Sequence, residues 1–227
     1  MGINRRRMPA GWLVAMCHWA LLVAPAQGAP LFLDLFDFPD IASGFIDVTY
    51  TANTDTFLAS GFALEIDDDG VGPAIPVQNG TFDLTATIDD AGSLGPGGTL
   101  AIGGTVPSLG FNSGTLLLGD LTAFGFPIGG GDPLEFGFDV TGGDAAGLYS
   151  TRSGRGGVIL SFTGFGGLFT QDFDNLISGN AGTGTAVVNV EEEVPLPGAL
   201  HAGLMVLGLL GLFSARKELV RRADRMV

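Results

Sequence analysis

Between Ala29 and Glu193 the groups able to do chemistry are 22 carboxylates and two guanidiniums, Arg152 and Arg155. Both histidines (His18, His201), the single cysteine (Cys17), the single lysine (Lys217) and both tryptophans (Trp12, Trp19) lie outside that stretch. A segment without imidazole, thiol or amine has no Ser-His-Asp or Cys-His triad, no Schiff-base lysine and no His or Cys metal centre. It has no Gly-Lys-Ser/Thr loop to hold a phosphate either. Two chemistries remain for the carboxylates. Glycoside hydrolysis needs two of them across a cleft, one with a raised pKa, and nothing in the spacing selects a pair. Asp89-Asp90, for instance, lies in an evident turn. Calcium binding needs several hard oxygens on a loop, and the densest groups are Asp67-Asp68-Asp69-Gly70 and Asp172 with Asp174. Asp67, Asp69, Asp172 and Asp174 are therefore the candidate calcium ligands. Neither group has the EF-hand spacing, and a solvated turn is the competing explanation for both. No other cofactor is expected. Arg152 and Arg155 read as a hairpin tip.

The net charge of −14 conceals a partition. Residues 29–193 hold two cations against 22 acids, a balance of −20, which argues against a nucleic-acid partner. The other eight cations flank two apolar stretches. Arg5-Arg6-Arg7 precedes an apolar run over 12–23, and small residues follow over 24–28. That is the pattern of a signal peptide over 1–28, cut by signal peptidase after Ala26 or Gly28. The run is shorter than the roughly 20 residues that span a bilayer. At the other end Glu191-Glu192-Glu193 leads to Val194-Pro195-Leu196-Pro197 and an apolar stretch to Ala215. Arg216, Lys217, Arg221, Arg222 and Arg225 follow. Residues 196–215 are long enough for one crossing, with a helix expected at about 198–215. The positive-inside rule then keeps the tail cytoplasmic and the acidic segment outside the inner membrane.

This order of motif, apolar helix and basic tail resembles the PEP-CTERM sorting signal of Gram-negative bacteria, over Val194 to Val227. Val194-Pro195-Leu196-Pro197 stands at the motif, with Leu where the family's name has Glu. The resemblance implies an exported protein, transiently anchored in the inner membrane and processed at Pro195-Leu196-Pro197 by the protease exosortase. It further implies delivery to the cell surface or extracellular matrix, in a system associated with exopolysaccharide. With the usual catalytic side chains missing, the expected function is a non-enzymatic surface or matrix protein. The alternatives are a carboxylate-based glycoside hydrolase or lyase, and a carbohydrate- or calcium-binding module.

The elements that must position any site are strands. Residues 81–88 alternate without error, with Phe82, Leu84, Ala86 and Ile88 on one face, and 134–140 do the same. Further strands are expected at 45–51, 57–66, 100–106, 115–124, 158–163 and 185–190. They are separated by turn residues such as Asn79-Gly80 and Gly95-Pro96-Gly97-Gly98. Phe124-Gly125-Phe126 and Phe136-Gly137-Phe138 are expected to form one hairpin with a shared core. No helical stripe appears between 29 and 193. The expected fold is all-β, an antiparallel β-sandwich or jelly roll over 29–193, between the signal peptide and the sorting signal of 194–227.

Overall fold

The structure, a computed structural model, describes residues 30–33, 38–127, 130–151, 153–176 and 182–190. The cleavage residues Ala26 and Gly28, the motif Val194 to Pro197, the apolar helix after it, the basic tail and Arg152 lie outside the described residues. Among the described residues no helix is long and apolar enough to cross a membrane.

The expected alternation forms strands throughout. They are β1 (Asp40–Thr51), β2 (Thr56–Asp67), β3 (Ile75–Pro76), β4 (Gln78–Thr87), β5 (Thr99–Val106), β6 (Phe111–Gly125), β7 (Leu134–Gly142), β8 (Arg155–Ser161), β9 (Phe173–Asp174) and β10 (Gly184–Val190). Every pairing is antiparallel. Setting aside the two-residue β3 and β9, each strand pairs with its neighbours in sequence. β1 also pairs with β10, Asp40 opposite Asn189 and Ile41 opposite Val188. The eight long strands therefore close into an up-and-down barrel, which corrects the expected sandwich or jelly roll. Alternation shows that each strand buries one face. It does not say whether that face meets a second sheet or the far wall of its own. Register shifts in β1, β4, β5 and β6 bend the ladder here, and β-bulges are the usual source of such curvature.

Eight strands enclose a space that side chains fill. Ile46, Val48, Phe82, Leu84, Ile102 and Phe136 are among those fully buried, each worth about 1.5–3 kcal/mol of burial. Phe138 shows how tight the fit is. A Cβ added to Gly156 would lie 2.2 Å from its Cζ, and one added to Gly119 2.3 Å from its Cδ2. The glycines on β6 and β8 thus make room for the ring between them. One end of the barrel is stoppered by α1 (Ala146–Ser150), a five-residue helix that the sequence did not announce. It carries the buried Tyr149, whose hydroxyl donates to the Val188 carbonyl at 3.4 Å. The other end is closed by phenylalanines. Phe165 and Phe169 from the loop after β8 pack on Phe126 and Phe173, with ring centroids 5.0–5.8 Å apart. Tyr50 meets Phe169 edge-on at 5.1 Å and donates its hydroxyl to the Ile88 carbonyl at 2.7 Å. The expected hairpin of the two Phe-Gly-Phe segments is β6–β7, with Phe124 opposite Phe136 and their rings 4.8 Å apart.

The outward positions of β4 are polar, with Thr81, Asp83, Thr85 and Thr87 exposed. At β7 an N-terminal segment covers the wall. The Glu135 carboxylate, nearly buried, accepts the amides of Leu31 and Phe32 at 2.6 and 3.1 Å.

Candidate functional site

The two candidate calcium groups lie at separate places on the barrel. Asp67 pairs with Asp40 at one end of β1, and Asp174 with Thr49 near the other. Nine residues of strand separate these points, about 30 Å at 3.3 Å per residue. Each carboxylate is also occupied locally. Asp67 Oδ1 accepts the amides of Asp69 and Gly70 at 3.3 and 2.8 Å, and Asp69 Oδ1 that of Val71 at 2.9 Å. Asp172 Oδ1 accepts the Ala52 amide at 2.8 Å, whereas Asp174 Oδ1 accepts that of Leu176 at 3.1 Å. Asp67, Asp68 and Asp69 do place one oxygen each within 4.8 Å of one another. Their hydrogen bonds build the turn that ends β2. Asp89 likewise holds its turn, accepting the amides of Ala91 and Ser93 at 3.0 and 2.8 Å.

Among the described carboxyls, Asp144 is lowered by hydrogen bonds from Ser113, and the one raised toward acid–base use is Asp40. The Asp40 pKa is raised above its ordinary value by burial first, then by the charges of Asp67 and Glu65. Asp40 stands between Asn189 and Asp67 in the ladder, so the two acids lie side by side on adjacent strands. A glycosidase pair instead faces across a sugar. Tyr50 and Tyr149, the tyrosines that a sugar could stack on, are both buried in the barrel. Arg155 pairs with Asp139, 3.4 Å away on the neighbouring strand.

A concave feature of the described surface lies elsewhere. A groove of about 620 Å³ on the outer wall is lined by Phe45, Phe62, Leu64, Val77, Asn79 and Thr81, with Ala63 and Gly80 in its floor. Its rings are held out against the tendency of the strand. Ile41 and Ser43 point inward, so alternation would bury Phe45. The register slips between Gly44 and Ile46 against β10, and between Gly44 and Asp47 against β2. Ile46, Val48 and Tyr50 take the inward positions instead. Phe45 is left outside with a left-handed backbone (φ 53°) and a ring that is 61% exposed. Asn175 secures this bulge. Its side-chain amide accepts from the Val48 amide and donates to the Ile46 carbonyl, both at 2.8 Å, standing in for a strand. Across the groove, Phe62 and Leu64 sit in the outward phase of β2, 54% and 44% exposed. Gly80 lets β4 approach closely, since a Cβ there would lie 1.9 Å from the Ala63 carbonyl oxygen.

No protein-family model, no curated protein and no solved structure matches this chain. The site therefore rests on its own chemistry. It offers apolar contact with an amide and a hydroxyl at its border, and no nucleophile or acid–base pair among its lining. Sequence reading missed the groove, although a signal was present. In β2 the apolar Phe57, Ala59 and Ala63 share one phase, and Leu58, Phe62 and Leu64 fill the other. A strand that is apolar in both phases has an outward face that does more than meet water.

Proposed function

We propose that this chain is an exported, non-enzymatic β-barrel protein of the cell surface or extracellular matrix. It is sorted by its C-terminal PEP-CTERM-like signal and processed by exosortase. The supporting observation is that the barrel closes using residues 40–190 alone. Both apolar, cation-flanked ends are thereby left over for targeting, with signal peptidase cutting after Ala26 or Gly28. A charge balance of −20 over residues 29–193 suits a soluble exterior module. Exopolysaccharide is the surrounding material that the resemblance implies.

The test follows the full chain in its own cell. Mass spectrometry of the mature form should find a new N-terminus at Gln27 or Ala29 and a C-terminus near Pro195-Leu196-Pro197. Replacing Pro195 and Pro197 by Ala should leave unprocessed chain in the membrane fraction. Unchanged processing and release in that variant would refute the sorting mechanism. Hydrolysis of host polysaccharide by the purified protein, abolished in Asp40→Asn, would replace the non-enzymatic reading with the hydrolase.

A further inference from the structure

We propose that the groove between β1, β2 and β4 docks a protein segment that presents apolar side chains flanked by lysine or arginine. The inference rests on the barrel wall alone and stands whatever the route of export.

The apolar centre is built rather than incidental. Phe45 lies in the left-handed region, which a bulky residue other than glycine or asparagine rarely occupies. β1 fills its inward positions with Ile46, Val48 and Tyr50, so the core does not need the Phe45 ring. The bulge, the Asn175 bridge and the close approach at Gly80 together shape a concave surface around a ring that faces solvent. Backbone held in a sparsely populated conformation, with an apolar ring presented to water, is the usual mark of a binding position.

The border selects the partner. Asp47 lies opposite Ser60, and Ser60 opposite Asp83, so two acidic residues stand in a row across β1, β2 and β4 on one side of the groove, Asp83 exposed and Asp47 half-buried with its Oδ1 accepting the Gly182 amide. Glu65, opposite Ala42, flanks the other. Arg155 is the one lysine or arginine among the described residues, and it lies on β8 against Asp139. An acidic or phosphorylated partner and an anionic lipid surface are both repelled by this border, whereas a cationic one is drawn to it. From Ser60 to Glu65 is five residues of strand, about 16 Å at 3.3 Å per residue. An extended segment therefore meets both borders with cations four to six positions apart and apolar side chains between them.

The probe is a fluorescein-labelled peptide, Arg-Ser-Leu-Thr-Phe-Ser-Arg, titrated against the purified full chain and read by fluorescence anisotropy. Saturable binding is expected. It should weaken about tenfold or more when the peptide's arginines become glutamates or its Leu and Phe become serines. It should weaken similarly in Phe45→Asn, which keeps a residue suited to the left-handed backbone, and in the Asp47→Asn, Asp83→Asn double variant. Raising the ionic strength to about 1 M should loosen the wild-type complex and change the charge-neutralised variant little. Phe62→Ser and Glu65→Gln give the same readout should either variant fail to show the wild-type circular dichroism. Equal binding of the glutamate peptide would overturn the proposal, as would unaltered binding in folded Phe45→Asn and Phe62→Ser. So would absence of binding at millimolar protein. A neutral glucan oligosaccharide that binds in place of the peptide would assign the groove to carbohydrate and also overturn it.

Discussion

Replacing Gly156 by Ala adds one methyl group where the barrel has no room. The new Cβ would lie 2.2, 2.7 and 2.8 Å from three ring atoms of Phe138, where relaxed carbons keep about 3.5–4.0 Å. The ring cannot swing aside, because Gly119 already touches its other edge and Phe138 is fully buried. Overpacking of this kind costs about 3 kcal/mol. The shorter ensemble of the unfolded alanine chain offsets up to about 1 kcal/mol, leaving a net loss near 2 kcal/mol. Phe138→Leu removes the ring atoms nearest Gly156 and costs about 1.5 kcal/mol alone. In the double variant the methyl group occupies the space that the ring vacates, so the combined loss should be about 1 kcal/mol. Urea denaturation followed by far-ultraviolet circular dichroism measures all three. With a slope near 2 kcal/mol per molar, Gly156→Ala alone moves the midpoint by about 1 M. Gly119→Ala is the control, since its clash is with Cδ2, which leucine retains in kind, and Phe138→Leu should not rescue it. Additive losses within about 0.5 kcal/mol in the Gly156 pair would refute the packing argument.

Replacing Asn175 by Leu strands the Val48 amide and the Ile46 carbonyl, and should cost about 2–4 kcal/mol in the same urea assay. Glu135→Gln weakens the hold on Leu31 and Phe32 by about 1–3 kcal/mol, and limited proteolysis should then cut the N-terminal segment sooner while the barrel persists. Asp40 has its pKa raised by burial and by Asp67 and Glu65, so its charge opposes folding at neutral pH. Asp40→Asn should raise the melting temperature at pH 7, and the gain should vanish as the pH falls below 3.8, where both states are protonated. Burial pushes the Tyr50 hydroxyl up to about 12 and that of Tyr149 higher still, so little tyrosinate absorbance should develop at pH 10–11 while the barrel is folded. Stability should be indifferent to pH just below 10 and fall as the pH rises from 10 to about 12.

Strand content was legible because its cause is local. Phe82, Leu84, Ala86 and Ile88 alternate in the sequence and all point inward. The Phe-Gly-Phe pair predicted its own hairpin because both partners share a turn. Barrel closure was not legible, since it depends on Asp40 meeting Asn189 across the length of the chain. The groove was half legible. β2 announced an apolar outward face, yet the expulsion of Phe45 depends on a bulge fixed by Asn175, which is 130 residues away and reads in sequence as an ordinary polar loop residue. The local work of the acids was not legible for a related reason: the backbone amides that Asp67, Asp69, Asp172 and Asp174 cap belong to turns that only the fold defines.

Seven of the barrel's eight seams join strands that follow one another, and only the β1–β10 seam joins its first strand to its last. Closure is thus a single late event. A nascent or threading chain can form a growing meander, but its leading edge waits for Gly184–Val190 before it finds a partner. Until then both margins expose unpaired amides and carbonyls, the sort of edge along which sheets aggregate. A chain cut short before residue 184 should therefore not be a slightly smaller barrel but an open, associating sheet. The ring is complete only once the last strand, Gly184–Val190, has arrived.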